Sequence, residues 1–188
     1  MRRLFVVLGL ALAALAVASS AALASGVQNI NPYHCPSGVG VGFGSPWVVS
    51  ATESGGDPVQ MTFGWGALQT NQLDKFISVE FGSLSLTDPH GNVVFQDSWG
   101  YDMTGWGAYT ATQLTANGTT FKPGYGTQRH EQFGVLSNPT PGTDAVYNLT
   151  MDWELSKGVN DGFGAYSPGP VVQVTNCPII VRNYNSGP

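Results

Sequence analysis

Apolar and polar residues alternate with a period of two along much of this chain, and helical spacing occurs only once. Val59, Met61, Phe63 and Trp65 fall on one face of a segment whose other face carries Gln60, Thr62 and Gly64. That is the pattern of a half-buried strand. Residues 147–155 repeat it, with Met151, Trp153 and Leu155 inward and Asp152 and Glu154 outward. Shorter runs at 47–49, 79–86, 93–95, 109–114, 131–136, 171–175 and 179–181 supply further strands. In 79–86 the apolar residues place Val79, Phe81 and Leu84 or Leu86 near the core, with a bulge at Gly82. Thr70–Ile77 alone has helical period, with Leu73, Phe76 and Ile77 on one side and Asn71 as cap, Asp74 following three residues on.

Turn chemistry separates these runs. Asp88-Pro89-His90-Gly91-Asn92 predicts a hairpin, and Asn138-Pro139-Thr140-Pro141-Gly142 a second break. Eight or nine short strands at roughly ten-residue spacing predict an all-β fold. The expected architecture is an antiparallel, immunoglobulin-like β-sandwich of Greek-key type with one short connector helix, the alternative being a jelly roll. The run Phe63-Gly64-Trp65-Gly66-Ala67, followed by Thr70, by Asp74 to Phe76 and by the Asp88–Asn92 turn, resembles secreted bacterial β-sandwich proteins of no assigned role. The resemblance covers about half of the mature chain. It implies the architecture and carries no functional residues.

The N-terminus changes where this domain is expected to work. Arg2 and Arg3 precede an apolar run over 4–17, and Ala22-Leu23-Ala24 forms a small-x-small cleavage site, so 1–24 reads as a secretory signal peptide. The run falls short of the roughly 20 residues of a membrane span. A single domain over 25–188 is left, secreted or held at the cell surface, with no transmembrane segment. In that oxidising setting Cys35 and Cys177 are expected to form a disulfide.

Charge removes one class of partner. The chain carries 7 basic and 12 acidic residues, and only Lys75, Lys122, Arg129, Lys157 and Arg182 follow the signal, scattered. Nucleic acid would find no basic footprint. Charged residues make up 10% of the sequence, against about 25% in ordinary soluble domains. Such a surface repels its own copies weakly, which favours self-association.

Candidate chemistry is sparse. Gly38, Gly40, Gly42 and Gly44 lack the strand–helix context of a phosphate loop, and His34, His90 and His130 lie in no catalytic motif. Two glycosylation sequons begin at Asn117 and Asn148. Asp152 and Glu154 share one strand face, as a glycosidase or calcium site requires, and equally as a solvated face does. Trp99, Tyr101, Trp106 and Tyr109 are interleaved with Gly100, Gly105 and Gly107, which reads as a loop presenting rings to a glycan or a neighbouring protein. The expected function is a non-enzymatic binding or structural module without a cofactor. The alternative is a secreted glycan-directed hydrolase using Asp152 and Glu154.

Overall fold

The computed structural model describes residues 26–41, 45–52, 55–116 and 120–184; the expected signal segment 1–24 and the sequon at Asn117 lie outside them. In chain order the elements are β1 (Gln28–Ile30), β2 (Trp47–Thr52), β3 (Gly55–Gly56), β4 (Val59–Ala67), α1 (Thr70–Ile77), β5 (Glu80–Thr87), β6 (Val93–Gly100), β7 (Thr110–Ala116), β8 (Thr120–Gly134), β9 (Asp144–Leu155), β10 (Val159–Asn160), β11 (Ala165–Tyr166) and β12 (Gly169–Asn183). Four strands form one sheet in the order β1-β4-β8-β7, and six form the other in the order β3-β2-β12-β9-β5-β6. β10 and β11 make a separate small hairpin.

The architecture is all-β with two sandwich-like sheets, but it is not wholly antiparallel. β1 runs parallel to β4, with Gln28 opposite Val59, and β2 runs parallel to β12, with Trp47 opposite Ile179. Both departures involve strands from the N-terminal segment, which crosses from one sheet to the other. Alternation cannot reveal this, because it reports which face is buried and not which neighbour a strand takes.

Val59, Met61 and Phe63 from β4 join Leu149, Met151 and Trp153 from β9 in one core, all at most 2% exposed. The Phe63 and Trp153 rings meet edge-on at 5.1 Å, an arrangement the ring quadrupoles favour. Trp65 also turns inward, stacking on Phe76 of α1 at 4.5 Å. α1 covers this end of the core with Leu73, Phe76 and Ile77. Its first turn is closed by Gln72, whose side chain accepts the Gln69 N–H at 2.9 Å, and not by the expected Asn71 and Asp74.

The alternation of β5 is shifted from the expected one. Leu84 and Leu86 are buried as anticipated, and the same parity brings Glu80 inward at 0% exposure while Phe81 is only half-buried. Gly82 is no bulge, since β5 pairs without interruption there with both neighbours. A Cβ at Gly82 would sit 2.4 Å from the Trp99 ring; the glycine makes room for that indole.

Cys35 and Cys177 form the expected disulfide, with Cα atoms 5.1 Å apart and a sequence separation of 142. Beside it, Val39 and Gln173 exchange backbone hydrogen bonds of 2.8 and 3.0 Å. A Cβ at Gly38 would meet the Gln173 carbonyl at 2.3 Å, and one at Gly40 the Val171 carbonyl at 1.9 Å. These two glycines serve close backbone packing against β12.

Candidate functional site

The aromatic segment from Trp99 to Tyr109, which begins at the end of β6, does not form the expected exposed patch. Trp106 is 7% exposed and belongs to the core, and Trp99 is half-buried against it. Tyr109 is tethered, its hydroxyl donating to Asp74 Oδ1 at 2.8 Å; burial and the Asp74 carboxylate push its pKa up to about 12. Only Tyr101, 56% exposed, presents its ring to solvent.

Glu80 gathers these indoles. Its Oε2 accepts from Trp99 Nε1 at 2.7 Å and Trp153 Nε1 at 3.1 Å, and its Oε1 accepts from Trp106 Nε1 at 3.1 Å. Indole has a donor and no acceptor, so a buried carboxylate satisfies all three. Next to it, Arg129 lies 4.7 Å from the Trp99 ring centre. Its guanidinium donates to Asp97 at 2.6 Å, to the Thr104 carbonyl at 2.7 Å and to Glu131. Gly105 is needed there, with φ of 81° and a would-be Cβ only 2.2 Å from Arg129 Nη1. Gly105 thus admits Arg129 and a turn, while Gly100 and Gly107 allow close approach to Phe81 and to the Gln128 carbonyl.

The burial of these acids has a pH signature. Desolvation pushes Glu80 up from the carboxylate range, against the pull of the three indole donors and Arg129. Desolvation also raises Glu131, against Arg129. Above the ordinary carboxyl pKa near ~4.3, the folded chain therefore holds more protons than the unfolded chain. The stability these two groups contribute is complete below that value and is lost as pH rises through their folded pKa values. Asp88 and Asp102 act oppositely: hydrogen bonds led by the Asn92 side chain and the Thr104 N–H lower them, so their contribution is lost in acid. Tm is thus expected to fall as pH rises through the raised folded pKa values of Glu80 and Glu131, and to fall in acid as Asp88 and Asp102 take up protons, as read by calorimetry. A Tm that climbs steadily toward pH 8 would contradict the buried-acid account.

Asp152 and Glu154 stand on the outer face of the six-stranded sheet, where Gln173 donates to Asp152 at 3.4 Å. Partial desolvation, then Asp152 itself, raises Glu154. Asn148 is half-buried mid-strand, opposite Thr87 and Pro178.

The other sheet carries a groove on its outer face, with a volume of about 530 Å³, within the ~300–1,000 Å³ of small-molecule sites. Tyr33 and Asn31 wall it on the β1 side, Thr110, Thr112 and Leu114 on the β7 side, and Gln128 and Thr62 line it between them. Its floor is bare because Gly64 and Gly66 of β4 and Gly126 of β8 bring no side chain, Gly66 lying directly opposite Gly126. Leu114 lies flat at one end, where a Cβ on Gly66 or Gly124 would each be 2.6 Å from its methyls. No Asp, Glu, Lys, Arg or His lines the groove.

An amide and hydroxyl ladder extends the surface beyond the groove. Gln60 accepts from Gln132 at 2.6 Å and donates to Asn29 at 3.1 Å, and Thr62 Oγ1 lies 3.0 Å from His130 Nδ1. The Tyr33 hydroxyl donates to the Gly64 carbonyl at 3.3 Å, fixing its ring at the wall; burial raises its pKa.

Sequence reasoning passed over both Glu80 and this groove. The parity of Leu84 and Leu86 already pointed to Glu80, and glycines two apart on two strands, 64 and 66 with 124 and 126, signalled a bare outer face.

Among the described residues no helix is long and apolar enough to cross a membrane. The disulfide is compatible with an extracellular protein. No family model, curated protein or solved structure matches the chain.

Proposed function

We propose that the chain is a secreted or cell-surface, non-enzymatic binding module on an immunoglobulin-like frame, and that its groove takes a neutral glycan. The observation that carries this reading is the groove itself. It is concave, free of charged side chains and floored by glycine, with hydroxyl and amide groups around one tyrosine ring. Sugar hydroxyls are uncharged donors and acceptors, matched by Asn, Gln and Thr, and their apolar C–H faces pack on an aromatic ring. A hydrolase would need an acid and a base at the scissile bond, and the groove lining contains neither.

The frame is supported by strand order. β1-β4-β8-β7 follows the A-B-E-D order of an immunoglobulin sheet, and β12-β9-β5-β6 follows G-F-C-C′. The Tyr147 hydroxyl donates to the Ser137 carbonyl at 3.1 Å, across the connection leading into β9. This is the position of the tyrosine corner in that fold. The inter-sheet disulfide of antibody domains has no counterpart between β4 and β9, where Phe63 and Trp153 pack instead.

Gly126→Val tests the reading cleanly. A Cβ at Gly126 meets nothing closer than Thr112 Cγ2 at 3.5 Å, so valine is expected to be accommodated as it fills the groove. Stability is expected to hold or to rise by up to ~1 kcal/mol. Affinity for a neutral polysaccharide identified by array screening, followed by calorimetric titration, is expected to fall at least ~tenfold. No binding to any neutral glycan, or binding that survives Gly126→Val, would sink the proposal.

A further inference from the structure

We propose that β7 is an assembly edge, which pairs antiparallel with β7 of a second copy of this chain. Among the described residues, the two large sheets end in four edge strands. β1 has three residues and β3 has two, too short to template much pairing. β6 carries Asp97, held inward by Arg129, and a register shift interrupts its pairing with β5. Short length, an inward charge and a disrupted ladder are the devices that blunt sheet edges. β7 has none of them: Thr-Ala-Thr-Gln-Leu-Thr-Ala contains no charge and no proline over seven residues, and its register with β8 is unbroken. Thr110 to Gln113 are exposed.

The sequence of this edge selects a second copy as its occupant. Antiparallel pairing centred on Gln113 sets Gln113 opposite its own counterpart, Thr112 opposite Leu114 and Thr110 opposite Ala116. Each pair couples residues of the same parity, so outward side chains remain outward in both copies. No like charges meet, and two central amides face each other, able to exchange hydrogen bonds. With only 10% charged residues in the chain, long-range repulsion between copies is small. Thr110, Thr112 and Leu114 wall the groove, so pairing would bring two grooves side by side on one eight-stranded sheet. The proposal does not depend on what the groove binds, and its test contains no glycan.

A junction of two short strands is smaller than the ~1,200 Å² of standard interfaces, so weak, concentration-dependent dimerisation is expected. Sedimentation equilibrium up to ~1 mM protein is expected to show a monomer–dimer equilibrium for the wild type. Gln113→Lys and Gln113→Glu each place like charges face to face, and each is expected to raise the dissociation constant about tenfold with Tm unchanged. An equimolar mixture of the two variants is expected to recover dimerisation, now as a heterodimer. Amide exchange over Thr110–Ala116 in the wild type should slow with rising concentration. A wild type that stays monomeric throughout overturns the proposal. So does a dimer that neither substitution weakens, a mixture that fails to recover, or β7 exchange independent of concentration.

Discussion

Glu80→Ala is expected to lower the unfolding free energy by about 3–6 kcal/mol, measured by denaturant titration. The substitution strands the indole N–H groups of Trp99, Trp106 and Trp153, each bonded to this carboxylate. Each buried donor left unsatisfied costs about 1–3 kcal/mol. Against a typical total of about 5–15 kcal/mol, the loss brings the fold close to its limit. Glu80→Gln keeps an oxygen for two indoles but turns an NH₂ toward the third, so about 1–3 kcal/mol is expected. The double variant Glu80→Leu with Trp99→Phe removes one donor together with the acceptor, and should cost less than the sum of its parts. Full additivity, or a loss below about 1 kcal/mol for Glu80→Ala, would show that the carboxylate does not hold the three indoles.

Loss of the disulfide is the second large effect. Cys177→Ala is expected to cost about 2–5 kcal/mol, the usual range for a native bridge. Its separation of 142 residues puts the chain-entropy contribution near the top of that range, at about 5 kcal/mol. The damage is expected to be local in its first stage. Cys35 follows a short 3-10 turn at Pro32–His34, and among the described residues 36–41 Val39 alone forms a bridge to β12. Proteolysis of the reduced protein should therefore begin within 36–41, before general unfolding. Mass spectrometry without reductant that finds both thiols free in the folded protein would remove the basis for this expectation.

The strands with clean alternation were legible in the sequence, because burial on one face leaves a period of two. β4 and β9 are the clearest cases: inward Val59, Met61 and Phe63, and inward Leu149, Met151 and Trp153, are all buried. β8 was legible only at its end. Its first half includes Lys122, Pro123, Gly124 and Gly126, residues that read as a break. Proline is tolerated there because β4 pairing stops at Tyr125, leaving Pro123 with β7 as its one neighbour strand. Glu80 was hidden by its charge. A lone carboxylate is normally an outward residue, and only the meeting of three indoles from β6, the following segment and β9 makes its burial tolerable. The 99–109 segment was misread for a related reason. Glycines between aromatics look the same whether they free a loop or clear space for Arg129, and only the three-dimensional neighbour distinguishes the two.

The position of β12 sets an order of events for biogenesis. It lies in the middle of the six-stranded sheet, between β2 and β9, yet it follows every other strand in chain order. It also carries Cys177, one half of the covalent closure. A nascent chain that has emerged as far as β11 still lacks the strand joining β2 and β3 to β9, β5 and β6. The ribosome must therefore have synthesised β12 before the larger sheet can close. Contacts so distant in sequence form slowly, so a polypeptide handed to an export machinery N-terminus first would remain threadable for the whole passage. It would lock only after β12 had crossed.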